Sequence, residues 1–455
     1  MNEIVPKNVA EVSIDLLESG SVPRAGRRGF PIDAIGLSTE ALETYTFADW
    51  EPVIYDAMIV AAAVEYADRT LSRPTRGWQR RFEIGIPVHD PVRWDASETK
   101  AALTDAVGFL TGDDWDFEFL PRRKTFSPPR RAQLSLSPDT QTVIAYSDGM
   151  DSRAVAGLLG EELGHKLVKI RLGTSTPRRR RGRAQPIPFA GVPYELSIDG
   201  PNRESTARNR GFKFASIAGI AAYLARASEI AIPESGQGAI GPALVGVAHA
   251  YPDYRNHPLF ARKMERYFKA LFGLDIHFRF PRLWYTKGQT LSAYVTAVKE
   301  AQWADTRSCW RGSRWVSIDR VRRQCGVCAA CMLRRMSVHA AGLEEAPDTY
   351  AATDLTELSL GRAVDPAFRH ANKAFSEYAH AGFLHLDHLA DMADSAAHVE
   401  TSVQAAQLAW ALNMPVEEAV RRLGALLEQH KAEWEAYMDS LGSRSFLALR
   451  RRSLR

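Results

Sequence analysis

Cysteine is scarce in this 455-residue chain: there are four, all between positions 309 and 331. Clustered thiols in a long chain point to a metal in a reducing compartment rather than to a disulfide framework. Long apolar runs are missing as well. The longest, around Met58 to Val64, is far shorter than the roughly 20 residues that cross a bilayer, so no integral membrane protein is expected. The N-terminal MNEIVPKNVAEVSIDLLESG lacks the basic start and unbroken apolar stretch of a secretory signal, so a cytoplasmic location is expected. No repeat is visible at solenoid periods. A strong excess of one charge is absent too, with 58 Lys and Arg against 54 Asp and Glu, a formal +4. Local basic patches therefore matter more than overall charge, chiefly Arg178 to Arg181 and Arg450 to Arg452.

What is present is the composition of a folded protein, 45 % apolar and 25 % charged. The length calls for two or three domains, since single cores rarely outgrow roughly 250 residues. Residues 1–138 read as a small α+β domain and linker. Trp50 to Asp68 has helical spacing, Arg81 to Val88 and Trp115 to Leu120 alternate like strands, and Ser97 to Leu110 is a helix with Ser97 as its expected N-cap. Pro121 to Pro138 reads as the linker.

Residues 139–345 alternate strand and helix. Thr142 to Tyr146, Lys166 to Leu172 and Glu229 to Pro233 are the expected strands, with a helix over Arg210 to Arg226. That order implies an α/β fold with a doubly wound parallel sheet. Residues 346–455 read as helical, with Val416, Val420, Leu423 and Leu427 on one face after Pro415, and Trp434 and Leu441 in a second amphipathic stretch. A packing or docking module is the expectation for this part, and no chemistry is visible in it.

Two motifs carry chemistry. The first expected strand runs into Ser147-Asp148-Gly149-Met150-Asp151-Ser152, after which Val155, Leu158 and Leu159 follow at helical spacing. A strand, a short Gly-containing loop and a helix N-terminus present backbone N–H groups and a positive dipole end to an anion, so phosphate or pyrophosphate is the natural guest. The hydroxyls of Ser147 and Ser152 can donate to it. Asp151 would repel phosphate unless it holds Mg²⁺ or organises the loop amides.

The second motif is Cys309, Cys325, Cys328 and Cys331, spaced C-x15-C-G-x-C-x2-C. Two-residue gaps aim successive thiolates at one ion, and four thiolates close a tetrahedral site with no position left for water. The expectation is structural Zn²⁺. Ligands alone leave an iron–sulfur cluster open.

The loop resembles the SGGxDS signature of PP-loop ATP pyrophosphatases, with Asp148 where those proteins carry their first glycine. The loop together with Cys325-Gly326-Val327-Cys328-Ala329-Ala330-Cys331-Met332-Leu333-Arg334 resembles the QueC family of 7-cyano-7-deazaguanine synthases. Arg208-Asn209 is similar to that family's GRN segment, and Tyr251-Pro252-Asp253-Tyr254-Arg255 to its YPDCR segment. Phe280 to Lys287 is similar to the stretch ending in its lysine. Lys169 to Thr176 departs from the family's FDYGQ-like segment.

The resemblance implies that ATP adenylates the carboxylate of 7-carboxy-7-deazaguanine, releasing pyrophosphate, before an amine attacks. It implies catalytic roles for Asp151, Ser152, Arg208 and Lys287, ATP binding by Ser147 to Arg153, and a substrate role for Asn209, Asp253 and Arg255. Chains of this family with added end segments resemble those of antiphage Qat and CBASS systems. There a protein encoded nearby would be partner or acceptor. Three alternatives stand beside this reading: nitrile synthesis with ammonia, a nucleotide-binding scaffold disabled by Asp148, and a tRNA-modifying PP-loop enzyme. No nucleic-acid partner is expected, because the basic stretches lack interleaved aromatics. Oligomerisation is left open.

Overall fold

The computed structural model describes residues 9–36, 51–74, 77–123, 139–172, 190–192, 195–196, 204, 206–246, 250–311 and 316–454. The run Arg178 to Arg181 and most of the expected linker lie outside them. Two compact units emerge. The first comprises Met1–Tyr146, Leu163–Ile232 and His249–Phe280, and the second Ser147–Glu162, Pro233–Ala248 and Pro281–Arg455.

The first unit holds two parallel sheets. One contains β1 (Ala10–Leu17), β2 (Arg28–Pro31), β3 (Arg80–Val88) and β4 (Asp114–Pro121) in the order β2-β1-β3-β4. The N-terminal segment does mix helix and strand, and all three of its pairings are parallel. Parallel strands need crossover connections; the helices Pro52–Thr70 and Ser97–Thr111 lie in those leading to β3 and β4, while residues 18–27 join β1 to β2 without a helix. Ser97 is not the cap expected of it. The chain enters that helix straight from the short helix Pro91–Asp95, so Ala96 takes the cap position and Ser97 is already helical.

The second sheet contains β5 (Thr142–Ala145), β6 (Leu167–Leu172), β7 (Ala190–Val192), β8 (Glu229–Ala231) and β9 (His277–Arg279) in the order β9-β8-β5-β6-β7. Every pairing is again parallel, with Val143 opposite both Val168 and Ile230. Central parallel strands are covered on both faces, and Thr142, Val143 and Ile144 are accordingly buried. One apolar core runs through this unit from Ile14 to Ile276, including Phe82, Val143 and Phe212.

The second unit is mainly helical. Met150–Leu163 packs on Lys287–Ala297 through Met150, Ala154, Leu291 and Tyr294. A second cluster joins the cysteine segment to the C-terminal helices through Cys325, Met332, Phe383 and Trp434. The two C-terminal amphipathic stretches are one helix, Val416–Ser440. Leu423, Leu427 and Trp434 are buried in it, while Val416 and Val420 near its start are exposed. No helix among the described residues is long and apolar enough to cross a membrane.

Candidate functional site

β5 leads directly into the loop Ser147 to Gly149, and a helix begins at Met150. The loop is held by its own side chains: the Ser147 N–H donates to Ser152 Oγ at 2.8 Å and the Gly149 N–H to Ser147 Oγ at 3.1 Å. Both hydroxyls thus accept from the loop backbone. The Asp148 carbonyl accepts from the Arg307 N–H at 2.6 Å. Positive-φ residues do not include Asp148 or Gly149. The loop therefore demands no left-handed backbone where Asp148 stands, and a non-glycine residue sits there without strain.

Asp151 and Lys287, 136 positions apart, form a buried ion pair through Asp151 Oδ2 and Lys287 Nζ. Asp151 Oδ1 is buried with no protein partner. Burial, with the Arg334 guanidinium adding to it, pushes the Lys287 ammonium down to about 7; the adjacent carboxylate works in the opposite direction.

Lys287 opens its helix behind a capping box in which Thr286 and Gln289 bond each other's backbone. Its N–H donates to Gln237 Oε1 at 2.7 Å. The Gln237 amide nitrogen lies 2.8 Å from His430 Nδ1, and His430 Nε2 lies 2.9 Å from the Leu386 carbonyl. A carbonyl can only accept, so the proton is on Nε2 and Nδ1 accepts from Gln237. Burial holds that imidazole down at about 4. The Thr286 hydroxyl donates to Glu433 Oε1 at 2.5 Å. The C-terminal helix, read from sequence as devoid of chemistry, thus braces Lys287 through His430 and Glu433.

The four cysteine sulfurs lie within 4.8 Å of one another. A tetrahedral ion with bonds of about 2.3 Å sets its sulfurs about 3.8 Å apart, and Cys325 and Cys331 Sγ are 3.7 Å apart. The Cys325 N–H donates to Cys309 Sγ at 3.2 Å and the Cys328 N–H to Cys325 Sγ at 3.3 Å. Amide donors of this kind stabilise thiolates. The arrangement can hold one tetrahedral Zn²⁺ with no position left open.

Gly326 makes the turn between the first two close ligands at φ +84°, and a Cβ there would lie 2.8 Å from the Ala352 carbonyl. Gly326→Ala therefore costs more than the roughly 1 kcal/mol of an unstrained backbone change. It lowers zinc content along with the melting temperature, as metal analysis and calorimetry would show.

Sequence reading missed two residues that connect this cluster to the loop. Arg334, one turn after Cys331, donates to the Thr306 carbonyl at 3.1 Å and to Glu345 at 2.7 Å. Arg307 next to Thr306 supplies the N–H that holds Asp148. Arg334 closes the CGxCxxCxxR string, which was its visible signal; Arg307 carried none.

Arg153, the last expected residue of the loop segment, donates to the Gln302 carbonyl at 3.3 Å; the other expected residues belong to the first unit. Arg208 pairs with Asp253 at 2.9 Å and donates to the Tyr251 carbonyl at 2.6 Å. Arg255 also binds Asp253, at 2.9 Å through Nε. Burial alone would raise the Asp253 carboxyl, but Arg255 and Arg208 hold it below its usual range. These side chains are largely buried, 11 % exposed for Arg208 and 14 % for Asp253, unlike a surface ion pair. Asn209 caps the helix Arg210–Ala225 by position only, and its Nδ2 is buried without a partner. Arg208 and Lys287 thus have different carboxylate partners, each in its own unit.

A strand, a phosphate-type loop and a helix, followed along the chain by a closed four-cysteine centre, define a PP-loop protein of the α/β class. Residues 203–342 match the family described as Queuosine biosynthesis protein QueC, so that stretch is QueC-like. The matched stretch contains Arg208, Asn209, Asp253, Arg255, Lys287 and all four cysteines, and starts after the phosphate loop. Neither a curated protein nor a solved structure matched the chain. A QueC-like stretch behind a PP-loop implies use of ATP.

Proposed function

We propose that the chain uses ATP to adenylate the carboxylate of 7-carboxy-7-deazaguanine or a close analogue and passes the acyl group to an amine. A carboxylate oxygen attacks the α-phosphorus, the bond to the β-phosphate oxygen breaks, and pyrophosphate leaves. The amine nitrogen then attacks the acyl carbon, AMP departs with the bonding pair, and the nitrogen loses a proton. Binding energy goes to the developing pyrophosphate charge, so a cation beside the loop is the part the chemistry needs. The observation that carries this reading is Lys287, buried and paired with Asp151 in the first turn of the loop helix.

Pyrophosphate competing for Lys287 would free Asp151, whose bare Oδ1 already offers a hard oxygen suited to Mg²⁺. The four cysteines would hold Zn²⁺ in a structural role. Asn209, Asp253 and Arg255 would serve the substrate side, with Arg208 fixed on Asp253.

The acceptor in this proposal is an amine of a partner protein encoded nearby, in an antiphage defence setting. Its support is the helix His398–Leu412, where Val399, Val403 and Trp410 are exposed at helical spacing, a stripe suited to a partner. Nothing favours the scaffold reading at Asp148, because the loop closes there without backbone strain.

The test is pyrophosphate release from ATP and Mg²⁺ with 7-carboxy-7-deazaguanine, followed by intact-mass measurement of neighbouring gene products incubated with the chain. Pyrophosphate dependent on both substrates is expected, with a deazaguanine-sized mass gain on one protein. No pyrophosphate with any candidate amine would overturn the enzymatic reading. Pyrophosphate with a mass gain on no protein would favour ammonia as acceptor.

A further inference from the structure

A helix leaves its first N–H groups without a carbonyl of its own to bond. In the helix Lys287–Ala297 the capping box serves Thr286 and Gln289, and the Lys287 N–H goes instead to the Gln237 side-chain oxygen at 2.7 Å. Gln237 sits in the short helix Gly236–Ala239 and is 3 % exposed. The acceptor for Lys287 thus comes from a segment 50 positions earlier.

What turns that oxygen toward Lys287 is His430. The two ends of a glutamine amide differ in hydrogen bonding, the oxygen accepting and the nitrogen donating. His430, wholly buried in the helix Val416–Ser440, has Nε2 2.9 Å from the Leu386 carbonyl and Nδ1 2.8 Å from the Gln237 amide nitrogen. With its proton on Nε2, the ring offers Nδ1 as an acceptor, which must face the amide NH2. A reversed amide would set oxygen against the Nδ1 lone pair and NH2 against the Lys287 N–H, losing both buried bonds.

Packing fixes the same segment independently. A Cβ on Gly236 would lie 2.2 Å from the Leu283 carbonyl and 2.5 Å from Leu426 Cδ2. Glycine lets the turn that carries Gln237 press against both the chain entering the Lys287 helix and the helix Val416–Ser440.

We infer that Gln237 and His430 are positioning residues for Lys287, so that the C-terminal helices take part in ATP use. His430 lies outside the QueC-like stretch 203–342, and the relay gives that added segment a task. The Lys287 ammonium must meet Asp151 and then pyrophosphate, and a misplacement of about 1 Å at such a group can lower the rate about a hundredfold. The inference rests on the reading of Lys287 as the cation that stabilises departing pyrophosphate.

Pyrophosphate release from ATP and 7-carboxy-7-deazaguanine, and ATP binding by calorimetry, test it on the zinc-loaded full chain. His430→Phe keeps the ring shape and removes the acceptor, whereas His430→Asn keeps an acceptor near Nδ1. His430→Phe and Gln237→Met should each lower kcat about tenfold or more and weaken ATP binding, with KM for 7-carboxy-7-deazaguanine within about twofold of native. His430→Asn should recover kcat to within about threefold of native. The double variant should be no slower than Gln237→Met alone, because His430 acts through Gln237. Native kcat and ATP affinity in a folded His430→Phe protein would overturn the inference, as would losses that multiply in the double variant. Should His430→Phe fail to fold, Gln237→Met decides alone, since it removes the acceptor of the Lys287 N–H directly. A wild-type chain that binds ATP without releasing pyrophosphate would sink the adenylation reading, and ATP affinity across the variants would still judge the relay. A wild-type chain that binds no ATP would overturn both.

Discussion

Replacing Lys287 by methionine should lower pyrophosphate release by about a hundredfold or more and cost about 3–5 kcal/mol of stability. The two losses have different origins, and a double variant separates them. Asp151 Oδ2 has Lys287 as its ion-pair partner and Oδ1 has no protein partner, so the single change strands a carboxylate in the interior. Attraction inside a protein barely repays the desolvation of both ions, which makes the pair costly to break and cheap to replace. Asp151→Leu with Lys287→Met should therefore recover most of the lost stability and none of the activity. Were the double variant as unstable as the single one, the pair would not be the source of the loss.

The same lysine sets a pH dependence. Burial pushes its ammonium down to about 7, so the charge is present below that pH and lost above it. Nucleotide affinity that uses this charge should fall as pH rises from about 6 to about 8, whereas Lys287→Arg, charged throughout, should flatten the profile. An unchanged slope in that variant would assign the titration to another group.

Legibility in the sequence followed the range of the interactions. The cysteine cluster was readable because three of its ligands lie within seven residues and a metal knuckle is local geometry. β5 was readable because a strand buried on both faces is apolar along its length, whereas β6, with Lys169 and Arg171, and β8, with Glu229, were readable from the alternation of strand and helix. The order β9-β8-β5-β6-β7 was not, since it depends on which crossovers pack, and no single segment records that.

Lys287 could be singled out only through a resemblance, and its partner Asp151 looked like a Mg²⁺ ligand or loop organiser. No local pattern announces an ion pair across 136 positions. The brace from His430 and Glu433 was hidden for a related reason. On a 25-residue helix with buried Leu423, Leu427 and Trp434, two polar residues on the inner side read as interruptions of an apolar face. Val416 and Val420 show the converse. Helical spacing predicted burial, yet Ala419 and Leu423 are the residues that pack inward in these turns, and Val416 and Val420 stay exposed.

Removing the metal should reach further than the metal site. Cys328→Ala, or chelation of the native chain, should abolish zinc content and lower stability by about 5 kcal/mol or more, a fraction of the binding energy of structural zinc. That corresponds to a fall in melting temperature of about 10 °C or more.

The consequence for the phosphate loop follows from two connections that converge on one short segment. Ser308 and Cys309 donate their N–H groups to Gln324 Oε1 at 2.8 and 3.2 Å, next to Cys325. Arg334, one turn beyond Cys331, grips Thr306. Between them lies Arg307, whose N–H supports the Asp148 carbonyl. A single backbone hydrogen bond contributes only about 1 kcal/mol net, but here it is kept in place by ligands on both sides, so losing the ion releases the segment and the loop together. Hydrogen exchange should therefore rise at residues 147–153 as well as around the cysteines, and nucleotide affinity should fall with it. Zinc loss with unchanged exchange in the loop would show that the two sites are independent. Unchanged zinc content and stability in Cys328→Ala would refute the closed four-thiolate site itself.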